Sequence, residues 1–310
     1  MNWFDDHKEA LRAVFAEAKR RIANFPEPLG GRGLAYLEAF DVFKPDTPKN
    51  YICYTLPYWL QERYPLTAEQ CSRLSLANLF VMLHFFVQDD LMDVPQDEWK
   101  EQLALSALFH SELLSLFHAQ FGTDSAFWTC YTKYIAGWAG AVANEQRADY
   151  FLTDRAQIAA KAAPLKLAAA GALLLTGKMS ELTDLEDLID DALVILQMAD
   201  DWTDWEEDLA EGNANCLLSL IRSRLGLAPE EPLSPQIVRQ HIYGGSIMTD
   251  YARFAQRRYD QLPDIASILS QLAAFRDSLS SGLLQTAADI VRKREALKLG
   301  GLNHFLSING

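Results

Sequence analysis

The sequence predicts an all-α fold: a single domain of ten or more helices around a central active-site cavity, spanning residues 1–310. Three observations predict it. Apolar residues recur at helical spacing along most of the chain, while the alternation expected of strands is nearly absent. Apolar residues make up 49% of the 310, enough for one sizeable core. No low-complexity linker and no internal repeat divides the chain.

Each element has a local reason. Residues 3–23 read as an amphipathic helix with Leu11, Val14, Phe15 and Ala18 on one side. Pro26, Pro28, Gly30, Gly31 and Gly33 then read as a loop. Residues 48–63 give a short aromatic helix carrying Tyr51, Tyr54, Tyr58 and Trp59, broken by Pro57. Thr67 and Gln70 form a capping box that opens the next helix, which runs through the apolar stretch from Leu79 to Val87.

Residues 97–120 and 125–151 give two more helices. The second sets Tyr131, Ile135, Trp138 and Val142 against small residues such as Gly137, Gly140 and Ala143, the pattern of a central helix. Residues 155–176 follow, interrupted at Pro164 and stopped by Gly177. Thr183 and Glu186 read as a second capping box, and helices near 214–224, 234–260, 264–279 and 281–298 complete the chain.

A net charge of −14 argues against nucleic acid and against an anionic membrane surface as partners. Cys53, Cys71, Cys130 and Cys216 lack metal-type spacing and read as reduced, buried thiols. Met1 to Asp6 has no signal-peptide character, so a cytoplasmic location is expected. No apolar run reaches membrane-spanning length without a charged or polar break, so no integral membrane segment is expected.

Two acidic runs carry the chemistry. In the first, Gln88-Asp89-Asp90-Leu91-Met92-Asp93 follows the apolar stretch ending at Val87 and stops near Pro95. In the second, Asp200 to Asp208 follows the apolar stretch Ala192 to Ala199 and stops near Gly212. At about 100° per residue, Asp200, Asp204 and Asp208 share one face within about 80°, and Asp89 shares a face with Asp93. Carboxylates stacked in this way repel one another unless water or a cation solvates them. Hard divalent ions such as Mg²⁺ take oxygen ligands and keep some waters, which suits such a face.

An anion clamp also needs cations. Lys161 falls on a helical stripe with Leu165, Ala168, Ala172 and Leu175, and Arg294 on one with Leu283, Ala287, Ile290 and Val291. Arg147 lies opposite the Trp138 side of its helix. Phe85, Phe86 and Trp138 are the aromatic residues best placed to line a cavity and to face a cation with their π-systems.

These motifs resemble those of class I isoprenoid synthases. Asp89-Asp90-Leu91-Met92-Asp93 is a complete DDxxD, and Gln197 to Asp204 is similar to the second aspartate-rich motif of trans-prenyltransferases. Asp200, Asp204 and Asp208 also fit the i, i+4, i+8 spacing of the terpene-cyclase metal triad, with Asp where Ser/Thr and Glu are usual. Lys161 sits where prenyltransferases carry a diphosphate-binding lysine.

The resemblance implies Mg²⁺, three ions per site, held by Asp89, Asp90, Asp93, Asp200, Asp204 and Asp208. It leaves open which of Asp200 and Asp201 binds directly. It implies Asp89 and Asp204 as catalytic residues, Lys161, Arg294 and Arg147 as diphosphate ligands, and a prenyl diphosphate of C15 to C25, geranylgeranyl diphosphate among them, as the partner.

Three members of that superfamily are open. A terpene cyclase needs both metal motifs and one substrate. A head-to-head squalene or phytoene synthase matches the Gln197 to Gly212 spacing. A chain-elongating enzyme usually has arginines after the first motif, where this chain has Val94-Pro95-Gln96-Asp97. A non-catalytic prenyltransferase-like subunit is the reading from a different class, and a homodimer is an open oligomeric state.

Overall fold

The computed structural model describes residues 2–45, 47, 50–93, 98–123, 126–145, 149–228, 231–257 and 268–298, with the side chains of Asn2, Asp93 and Arg257 outside the description. Among the described residues every regular element is a helix and there is no strand. The α-helices are α1 (Asn2–Asp5), α2 (Lys8–Ile22), α3 (Leu29–Ala39), α4 (Ile52–Trp59), α5 (Ala68–Asp93), α6 (Trp99–Phe121), α7 (Phe127–Ala143) and α8 (Tyr150–Thr153). They continue with α9 (Ala156–Ala160), α10 (Leu167–Thr176), α11 (Leu182–Glu211), α12 (Cys216–Leu225), α13 (Pro235–Arg239), α14 (Ile247–Arg257) and α15 (Ser270–Lys298).

The chain forms two compact units. The first comprises Met1–Ala136, Ala163–Asp187 and Ala266–Leu272; the second comprises Gly137–Ala162, Leu188–Ile265 and Ala273–Gly310.

In the first unit α5 is the core helix, packed by α2, α4, α6 and α10. Its start is the expected capping box: Thr67 N–H donates to Gln70 Oε1 at 2.8 Å, and Gln70 N–H donates to Thr67 Oγ1 at 3.2 Å. Leu11, Val14, Phe15 and Ala18 all point inward, and Phe15 meets Tyr54 edge-on at 5.3 Å. The Ala68–Met92 segment of α5 is long and apolar enough to cross a membrane, but 72% of its most apolar window is buried inside the protein, as in a core helix. No other helix among the described residues passes that test of length and hydropathy.

Several expectations fail in this unit. Gly30 to Gly33 are helical, in α3, because glycine here serves close packing: a Cβ on Gly33 would lie 2.7 Å from Ile22 Cγ2 and 3.1 Å from Leu105 Cδ1. Pro57 lies inside α4 without breaking it, and its carbonyl accepts from the Cys71 thiol at 3.3 Å. Thr183 caps nothing, since α11 follows directly on the 3₁₀ turn Met179–Glu181. Glu186 instead turns inward and accepts from Lys133 Nζ at 2.7 Å and from the Tyr134 hydroxyl. On α7, Tyr134 is buried on one side while Lys133 and Ala136 are exposed on another, so this stretch is not central.

In the second unit Val194, Ile195, Met198 and Trp205 of α11 are buried with Leu217, Leu218 and Ile221 of α12. The Tyr251 hydroxyl of α14 donates to the Met198 carbonyl at 2.9 Å. Arg276 of α15 pairs with Asp191 of α11, and both side chains are almost fully buried. Removing either partner of such a pair leaves an uncompensated charge, which makes it a strong constraint on how the two helices pack.

Here too the sequence pattern is corrected. Gly140 and Ala143 of α7 are exposed, so the small-residue face is a surface. The stretch expected as one helix over 234–260 is divided by residues 245 and 246, while Gly282 does not divide α15.

Candidate functional site

The C-terminal half of α11 carries the second acidic run. Its end is set by Gly212, whose φ of +81° allows the left-handed turn that only glycine adopts without strain. The N–H groups of Gly212 and Asn213 both close on the Asp208 carbonyl at 2.9 Å. Three residues on, Asn215 starts α12: its Oδ1 accepts from the Leu217 and Leu218 N–H groups at 2.9 and 3.0 Å. This short connection brings the start of α12 against the aspartates of α11.

The aspartates have separate environments. Asp201 is 3% exposed, and both of its carboxylate oxygens are engaged. Oδ1 accepts from Gln197 Nε2 at 2.7 Å, and Oδ2 accepts from the Cys216 N–H at 2.6 Å, at the first turn of α12. Burial pushes its carboxyl up, and these hydrogen bonds hold it down in part. Asp201 is therefore a clamp between α11 and α12.

Asp200 and Asp204 are exposed and Asp208 is half-buried. Withdrawal from water, then repulsion from Asp204, Asp201 and Asp208, pushes the Asp200 carboxyl up to about 6. Burial does the same to Asp208, also to about 6, against the hydrogen bond from Asn215. Asn215 Nδ2 donates both to the Asp201 carbonyl and to Asp208 Oδ2, each at 2.7 Å. That leaves Oδ1 of Asp208 outside the Asn215 contact.

A small cleft of about 60 Å³ opens beside this clamp, walled by Lys161, Glu145, Asp149, Asp201, Asn215 and Ser219 among others. It has room for a few waters or a hydrated ion, well below the roughly 300 Å³ of a typical organic-ligand pocket. Asp200, Asp204 and Asp208 are not in its wall. Lys161 pairs with Glu145 and is close enough to draw the carboxyls of Asp200 and Asp201 down.

Lys161 does not share a helical face with Ala168 and Ala172 as the pattern suggested. It caps the end of α9, and the turn holding Pro164 separates it from α10. The Arg294 guanidinium donates to the backbone carbonyls of Gly244 and Gly245. Trp138 is half-buried. Arg147 lies outside the described residues.

The first acidic run is built differently. Asp89 and Asp90 are exposed near the end of α5, and the Tyr36 hydroxyl donates to Asp90 Oδ2 at 2.8 Å. Burial, then the Asp90 charge, pushes the Tyr36 hydroxyl well above its ordinary range, so it remains a donor. Phe85 and Phe86 are half-buried, and Phe86 meets Phe40 edge-on at 5.2 Å. The side chain of Asp93 lies outside the described residues.

Among the described residues no three His, Cys, Asp or Glu side chains form a ready metal cage. The donor set nevertheless fits a hard cation, because Mg²⁺ retains several waters and needs only one or two protein carboxylates. Glu145 and Asn215 are the members of this region that the sequence reading missed. Asn215 had a signal, an Asn directly before the apolar run Cys216-Leu217-Leu218, which is an N-cap signature. Glu145 had none.

No protein-family model matches this chain, and no curated protein matches it in sequence.

Proposed function

We propose that the chain is a class I terpene synthase: it ionises an allylic prenyl diphosphate of C15 to C25 with Mg²⁺, cyclises the carbocation and releases diphosphate. One observation carries the reading. Asp200, Asp204 and Asp208 occupy one side of α11, and Asp200 and Asp208 hold their protons up to about pH 6. Burial first, and then repulsion among these carboxyls, penalises their charged forms, a penalty that a bound divalent ion would relieve.

Asp200, Asp204 and Asp208 would hold the ion; the resemblance assigns Asp89 and Asp90 of the first unit the same kind of role. Bound Mg²⁺ supplies Lewis-acid stabilisation of the charge on the departing oxygen. Lys161 would exchange Glu145 for a diphosphate oxygen, adding a charge-assisted hydrogen bond where charge develops. Arg294 and Arg147 are the further cations of this reading.

The test is thermal stabilisation by Mg²⁺ with and without inorganic diphosphate, followed by incubation with single C10 to C25 allylic diphosphates and gas chromatography. Synergy between Mg²⁺ and diphosphate, with hydrocarbon formed from one substrate, is expected. Product that requires added isopentenyl diphosphate would replace cyclisation with elongation. Absence of both synergy and product would point to a non-catalytic subunit.

A further inference from the structure

We infer that Asn215 is a positioning residue that presents the Asp208 carboxylate to the metal, an inference that rests on the functional reading above. Its side-chain amide makes four hydrogen bonds, and they fix which end is which. Oδ1 faces two N–H donors of α12, Leu217 and Leu218, so Nδ2 must face the two acceptors, the Asp201 carbonyl and Asp208 Oδ2. Asn215 is 4% exposed, so its geometry is set by the protein rather than by solvent.

The consequence is directional. Asp208 follows Asp204 by one turn on α11, and a free aspartate there samples several rotamers. A donor on Oδ2 selects one orientation of the carboxylate, with the Asn213 side chain as a further hydrogen-bonding neighbour of Asp208. Asp201 supports the same arrangement from the other side, since its Oδ2 receives the Cys216 N–H next to Asn215 and ties the first turn of α12 to α11. Groups that orient a metal-binding carboxylate in this manner typically change metal affinity by about 10- to 100-fold when removed.

Two roles of Asn215 must be separated, capping α12 and orienting Asp208. Serine caps a helix about as well as asparagine but lacks the amide donor. The experiment is a double-mutant cycle read by Mn²⁺ binding in the presence of inorganic diphosphate, followed by electron paramagnetic resonance, using the full chain. Asn215→Ser should weaken Mn²⁺ binding about tenfold. In an Asp208→Asn background the same substitution should cost less than about twofold, because the group it orients is already altered.

An equal loss in both backgrounds would overturn the positioning role and leave a purely structural one. Unchanged binding in Asn215→Ser, with normal binding in the unmodified protein, would overturn this inference and leave the functional reading standing. No Mn²⁺ binding by the unmodified protein would overturn both. Should Asn215→Ser fail to fold, Asn215→Asp keeps the cap while setting a carboxylate against Asp208, and the same cycle applies.

Discussion

The two acidic helix ends look alike as strings of residues and are built on different physical terms. At the end of α5, Asp89 and Asp90 are exposed, and the Tyr36 hydroxyl donates to Asp90. Towards the end of α11, Asp201 is buried and fully hydrogen-bonded, Asp208 is held by Asn215, and the whole group is backed by a second helix, α12. The difference lies in the partly buried members of the second run, where desolvation first raises the carboxyls of Asp200 and Asp208 to about 6. Equivalent motif letters can therefore stand in different surroundings.

The sharpest way to break that contrast is turnover. On the proposed function, Asp204→Ala and Asp89→Ala are both expected to lower diphosphate release by at least about a hundredfold while circular dichroism stays unchanged, because each would remove charge stabilisation that the reading places in the transition state. Retention of turnover by Asp89→Ala alone would confine the chemistry to the α11 run.

Stability should separate the two runs more cleanly. Asp201→Ala strands the Cys216 N–H and the Gln197 amide next to a partly dry cleft, a loss of about 2–3 kcal/mol in urea denaturation. Asp90→Ala, at an exposed end, should change stability by less than about 0.5 kcal/mol. Similar values for the two would remove the distinction drawn above.

The smallest effect is a pH dependence. Asp200 and Asp208 titrate at about 6 when folded. In the unfolded chain an aspartate titrates at about 4. Folding thus favours their protonated forms, and that stability is complete below about pH 4 and lost as pH rises through about 6. The Tm difference between the unmodified protein and the Asp200→Asn, Asp208→Asn double variant should widen in the variant's favour between pH 4 and 7. Added Mg²⁺ should close that gap at pH 7 and have little effect at pH 4.5, where protons compete for the same oxygens. A gap independent of pH would mean that the carboxyls are not under the mutual stress assigned to them.

Much of the site was legible one residue at a time. Asp200, Asp204 and Asp208 share a face because a helix repeats every 3.6 residues, and Gly212 ends that helix because glycine alone tolerates its backbone angle. The capping box at Thr67 and Gln70 was equally local. The misreadings share another cause. Gly30 and Gly33 looked like loop residues until Ile22 and Leu105 explained why a glycine is needed inside α3. Thr183 and Glu186 had the spacing of a cap, but Lys133 and Tyr134 take Glu186 instead. Lys161 lost its expected stripe because the Pro164 turn rotates the chain between α9 and α10.

By itself the sequence determined the all-helical character and the gathering of carboxylates on one side of α11. Both follow from periodicity, which acts over a few residues. Only the tertiary structure decided that Asp201 is a clamp, that Asn215 serves Asp208, and that Lys161 meets Glu145. Those roles depend on partners from other turns and helices. A carboxylate's protonation and the direction of its free oxygen are fixed by what surrounds it in space, which helical spacing does not encode.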